Sequence, residues 1–95
     1  MANLPFTINP EETFSLSIND TLYNFRQLWN TYGFWTLDIA DSTGASLAYG
    51  VKIVTGIKLL QQYPKIPFEL ESVAVSDPTR NDLDEFILEV TLKDV

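Results

Sequence analysis

Phe34-Trp35-Thr36-Leu37-Asp38-Ile39-Ala40-Asp41-Ser42-Thr43-Gly44, with the return from Leu47 to Ile53, is the stretch that decides the fold. Trp35, Leu37 and Ile39 alternate with Thr36, Asp38 and Ala40, the two-residue period of a strand with one apolar face. Asp41-Ser42-Thr43-Gly44 supplies a turn, because Asp and Ser close local side-chain turns and Gly accepts positive φ. Leu47, Tyr49, Val51 and Ile53 then read as a second strand on one face, which makes the segment a β-hairpin.

Upstream, Phe14, Leu16 and Ile18 alternate with Thr13, Ser15 and Ser17, a half-buried strand. Asn19-Asp20 is a two-residue reversal tolerant of left-handed backbone, so a tight hairpin leads into a strand from Leu22 to Trp29. In that strand Tyr23, Phe25 and Trp29 point one way and Leu22, Asn24, Arg26 and Leu28 the other. Both of its faces carry apolar groups. Leu4 to Ile8 reads as a short first strand, kept at a sheet edge by Pro5, which cannot donate to a ladder.

Downstream, Thr55 is placed to cap a helix of about two turns over residues 55–63, with Ile57, Leu60 and Tyr63 on one side and Pro64 ending it. So short a helix needs a sheet to pack on. Phe68 to Val75 reads as a strand, with Phe68 and Leu70 opposite Glu69, Glu71, Val73 and Val75. Ser76 to Glu85 is a polar, acidic and mobile loop. In the closing strand from Phe86 to Lys93, Phe86, Leu88, Val90 and Leu92 face inward. The expectation is a single mainly β domain over residues 1–95, an antiparallel sandwich or small barrel of six to seven strands with one short helix.

Composition narrows the function. The 95 residues include 13 acidic and six basic side chains, a net charge of −7, with 45% hydrophobic and 13% aromatic content. Six scattered cations make no footprint for a phosphate backbone, so sequence-specific nucleic-acid binding is not expected. The acidic surface argues against anionic membranes, and no apolar run approaches the ~20 residues that span a bilayer. With neither cysteine nor histidine, thiolate sites, disulfides, the commonest zinc ligand and the commonest general base are all missing. The start, Met-Ala-Asn-Leu-Pro, has no basic region followed by an apolar one, so no signal peptide is expected.

Few residues suggest chemistry. Glu69 and Glu71, two apart on a strand, put carboxylates about 7 Å apart from the ~3.3 Å rise, loosely a glycosidase spacing. A solvated strand face explains them more simply. Asp77, Asn81, Asp82, Asp84 and Glu85 cluster hard oxygens suited to Ca²⁺, but without the glycine and glutamate register of an EF-hand. No cofactor or metal is assigned. Asp38 is expected to accept hydrogen bonds from backbone amides or from Arg26, since an unpaired buried carboxylate is costly. Trp29, Trp35 and Tyr32 offer a platform for a sugar, the alternative reading as a carbohydrate-binding sandwich, although core packing is the commoner use of such rings.

Three blocks carry a resemblance. They are Thr13–Ile18 with Asn19-Asp20, Tyr23-Asn24-Phe25-Arg26 and Trp29-Asn30; then Gly33–Asp41 with Gly44–Leu47; then Gly50–Gly56 with Leu59-Leu60 and Tyr63. In this order they resemble the small baseplate plug proteins of contractile-tailed bacteriophages, best over residues 6 to 63. The resemblance implies a non-enzymatic virion component on the tail axis, near the hub and the tail-tube end, made in the host cytoplasm. Its implied partners are other tail and baseplate proteins and copies of itself in a ring. Lys65-Ile66-Pro67 where such chains are Gly-rich, and the acidic 77–85 segment, are departures. Asp77, Asp82, Asp84, Glu85, Tyr32 and Phe34 are the residues expected at an interaction surface, and the acidic balance suits a lumen that DNA traverses without sticking.

Overall fold

The computed structural model describes residues 4–72, 74 and 76–93. Six strands follow in order: β1 Glu11–Ile18, β2 Thr21–Asn30, β3 Phe34–Asp41, β4 Ser46–Lys52, β5 Phe68–Glu71 and β6 Glu89–Leu92. β1 to β4 form a sequential antiparallel sheet, and β5 and β6 pair separately. The two sheets are stacked and do not close into a barrel.

The Asn19-Asp20 reversal forms as expected, with both residues at positive φ (52° and 67°), the backbone that matches strand twist in a two-residue hairpin. Across it Phe14 pairs with Phe25 and Leu16 with Tyr23, and β2 carries the register on to Ile39 and Asp41 of β3. One face of this sheet therefore collects Phe14, Phe25 and Ile39. A run of rings then joins the layers. Phe6 meets Phe14 edge-on at 6.1 Å, Phe14 stacks on Phe25 at 5.3 Å, and Phe68 of β5 lies 4.9 Å from Tyr23 and 6.3 Å from Phe25. Offset and edge-to-face geometries of this kind add to the area they bury.

β4 departs from simple alternation. Leu37 pairs with Val51 but Ile39 with Ala48 and Ala40 with Ser46, so β4 bulges twice. The bulges reverse its facing: Ala48 is buried and Tyr49 is 73% exposed, while Val51 and Ile53 return to the core. Gly50 takes the positive φ (+68°) that a bulge demands, and its N–H donates to Asp38 Oδ1 at 2.8 Å. At the β3–β4 turn the Asp41 carboxylate accepts from the Thr43 hydroxyl (2.6 Å), the Thr43 amide (2.9 Å) and the Ala45 amide (3.0 Å). These bonds, that from Thr43 first, hold the Asp41 carboxyl below its ordinary pKa.

Three expected elements take other forms. Residues 55–63 are a run of turns rather than a helix. Two of their amides bond along the free edge of β5 and the residue after it, Gly56 N–H to Ser72 O and Leu59 N–H to Leu70 O, while Tyr63 N–H closes a single turn on Leu60 O. The Thr55 hydroxyl, read as a cap, lies within hydrogen-bond distance of Ser72 O and Ala74 O. Ile57 consequently faces solvent while Leu60 is fully buried.

The Leu4–Ile8 segment adds no strand. It crosses the core as a strap, with Leu4 N–H on Leu88 O and the Gln27 carboxamide gripping Thr7 and Asn9. β5 ends at Glu71, and the expectation for Val73 and Val75 lies outside the described residues. β6 is shorter than the strand read from Phe86, yet Phe86, Leu88 and Val90 point inward as expected. Leu92, at the last pair of the ladder, is largely in solvent.

Candidate functional site

The β2–β3 hairpin tip holds two of the expected surface residues. The Asn30 side chain accepts from the Tyr32 amide (2.8 Å) and its carbonyl from the Gly33 amide (2.9 Å), fixing a tight turn. This leaves Tyr32 89% exposed. Phe34 is half-buried, with Lys52 Nζ 4.8 Å from its ring centre.

Behind the tip, Trp35 is fully buried, and Trp29 packs edge-on against it at 5.3 Å. The Trp35 indole N–H donates to Thr79 O at 2.8 Å, and Arg80 lies over the same ring while donating to Ile8 O at 2.7 Å. The sugar-platform reading is thereby corrected. Trp35 is core, Trp29 leans on it, and of the three named rings Tyr32 alone stands free.

Trp35 also fastens the acidic segment. Instead of a loose loop, residues 77–86 are tucked in by buried Pro78, Leu83 and Phe86, with a single 3₁₀ turn at Leu83–Glu85. Asp77 accepts from the Thr55 amide (2.8 Å) and Asp82 from the Thr79 amide (2.5 Å), so both serve the fold. Asp84 and Glu85 face solvent. Among the described residues no three acidic side chains converge in a way that holds a metal ion.

Glu69 is not on a solvated strand face. It is buried, and its Oε1 accepts from the Leu60 and Leu70 amides, clamping the 55–63 turns to β5. Glu71 lies directly across from Glu89, and with Glu85 and Ile87 these line an acidic groove of about 480 Å³. The cross-strand pairing that brings Glu71 to Glu89, beside Glu85 of the 3₁₀ turn, was not legible in the chain, since Glu71 and Glu89 stand 18 positions apart. A clean alternation in both strands was the only signal.

A second groove, of about 510 Å³, runs over the outer face of the four-stranded sheet between Ser15, Asn24 and Tyr49. At its floor Arg26 donates twice to Asp38 Oδ2 (2.9 and 3.2 Å), and Glu11 lies 3.4 Å from the same guanidinium. The Asp38 hydrogen bond raises the Arg26 pKa. Asp38 thus has both partners expected for it, the arginine on one oxygen and the Gly50 amide on the other. One guanidinium thus serves two carboxylates, Asp38 closely and the more exposed Glu11 at longer range, which leaves the cluster net negative.

Against this geometry stands a family match: the model for the cyanophage baseplate Pam3 plug gp18 covers residues 1–93. The chain belongs to this plug family. The plug is a structural component of a phage baseplate, and membership implies association with other baseplate components. A search of the curated proteins finds no match. Among the described residues no helix of the plug is long and apolar enough to cross a membrane.

Proposed function

We propose that the plug sits on the tail axis, near the hub and the end of the tail tube, and works by contact rather than catalysis. In this reading it is made in the host cytoplasm as a single 95-residue domain and joins other baseplate proteins and copies of itself in a ring. The family match over residues 1–93 carries the proposal. The chemistry of the surface supports it: the buried acids already bind backbone amides or arginine, whereas Tyr32, Phe34, Asp84 and Glu85 are available for contact. Asp77 and Asp82 then shape the acidic segment from within. Axial symmetry in such a ring would make the contacts between copies head-to-tail, one patch of each subunit meeting a different patch of the next.

The test is electron cryomicroscopy of baseplates from wild-type virions and from virions lacking the gene. Loss of axial density between hub and tube is the expected result; unchanged axial density overturns the placement. In this reading the acidic groove borders a DNA path, so neutralising Glu71, Glu85 and Glu89 to Gln should slow ejection, and unaltered ejection kinetics would remove the lumen reading.

A further inference from the structure

We infer that the free edge of β1 is a docking strip for an extended segment of another protein, added antiparallel and carrying lysine or arginine near its C-terminal end. Trp29 N–H donates to Pro10 O, one step beyond the Glu11–Leu28 pair, which fixes the phase of the ladder. Glu12, Phe14, Leu16 and Ile18 therefore bond β2, while the N–H and C=O groups of Glu11, Thr13, Ser15 and Ser17 point away from it. Among the described residues these four amides donate to nothing. The strip is eight residues long and holds no Pro, no Lys and no bulge. Such an edge is a ready template for another strand.

The other edges are managed. β4 is bent by its two bulges, with the Gly50 amide turned onto Asp38. β5 is covered by residues 56–60, and β6 is blunted by its length of only four residues, with the Leu88 carbonyl just before it taken by Leu4. β1 alone has none of these devices. Its inner side offers half-buried Phe14 and Leu16, which an incoming apolar residue would cover.

Charge selects the occupant. The antiparallel sheet places the C-terminal end of an added strand beside Glu11 and Glu12, where a cation is complementary. A second copy fits worse. Pairing β1 with itself so that all four free positions match sets Ser17 of that copy opposite Glu11 and Leu16 opposite Glu12, and so offers these carboxylates no cation. The inference rests on this edge and not on the baseplate placement, so failure of either leaves the other standing.

The experiment is amide hydrogen exchange by NMR on the intact chain, with a capped eight-residue peptide of alternating Thr and Ile ending in Lys-Lys, and a control ending in Glu-Glu. Without peptide, the Thr13, Ser15 and Ser17 amides should exchange fast beside slow Phe14 and Leu16. At ten times its Kd the Lys-Lys peptide should slow those three by about tenfold, as mass action requires, and the Glu-Glu peptide should not. Ser15→Pro removes one outward donor and should abolish the effect; Glu12→Lys, which leaves the backbone intact, should shift preference toward Glu-Glu. Slow exchange of the three amides in the protein alone, slowing that grows with protein concentration, or no slowing by the Lys-Lys peptide would each overturn the inference.

Discussion

Replacing Gln27 with leucine should cost about as much as a large core truncation, although leucine is similar in size and more apolar. Gln27 is 0% exposed on the inward side of β2. Its Oε1 accepts from the Thr7 amide at 3.1 Å, and its Nε2 donates to Thr7 O and Asn9 O, both at 2.9 Å, with Thr7 Oγ1 at 3.2 Å. Leucine leaves three backbone groups of the N-terminal strap without partners. Orphaned buried groups cost ~1–3 kcal/mol each; because Thr7 is half-buried and Asn9 exposed, water relieves part of this, and about 3 kcal/mol in total is expected.

Against a total stability of ~5–10 kcal/mol this is a large fraction, and it corresponds to a fall in Tm of roughly 12–24 °C for a chain of this size. Urea unfolding followed by tryptophan fluorescence measures it. Gln27→Glu sharpens the test, since a carboxylate would face two carbonyl oxygens. Its folded-state pKa should lie above the ordinary ~4.3, so its deficit deepens as pH rises past that value and eases in acid, where the protonated group can donate. A loss under about 1 kcal/mol for leucine, or a glutamate variant no worse than leucine at pH 7, would refute the account of the strap.

Three further outcomes are expected. Glu69→Gln keeps an oxygen for the Leu60 and Leu70 amides and should melt near wild type, whereas Glu69→Leu should lose ~2 kcal/mol, read from thermal melts. Trp35→Phe removes the indole bond to Thr79 and part of the Arg80 contact, so amides over residues 79–86 should exchange faster while those of β1 and β2 stay protected. Asp41→Asn should be less stable than wild type at pH 7. Because the Asp41 pKa is depressed in the fold, that gap is full above pH 3.8 and closes as pH falls through the folded value, which paired denaturation curves across pH 2–7 would follow.

By itself the sequence determined what depends on neighbours two or three positions away, and what adjacent strands of a hairpin place side by side. Alternation placed Phe14, Leu16, Tyr23, Phe25, Trp35, Leu37 and Ile39 on one side, Asn19-Asp20 required its hairpin, and Arg26 was the natural partner for Asp38. The family resemblance was legible for the same reason, since it rode on those blocks. Only the tertiary structure decided matters settled by partners far along the chain. Within residues 55–63 the Leu59 and Leu60 amides are taken by Leu70 and Glu69 of β5, and that of Gly56 by Ser72 just after it, so a plausible helical period lost to an open sheet edge. The β4 bulges turned Tyr49 outward because Asp38, 12 residues away, takes the Gly50 amide. Gln27, a polar letter at an inward position, was the one local hint of a buried hydrogen-bonding site. The strap that it holds lies 20 residues upstream, where no short period can reach.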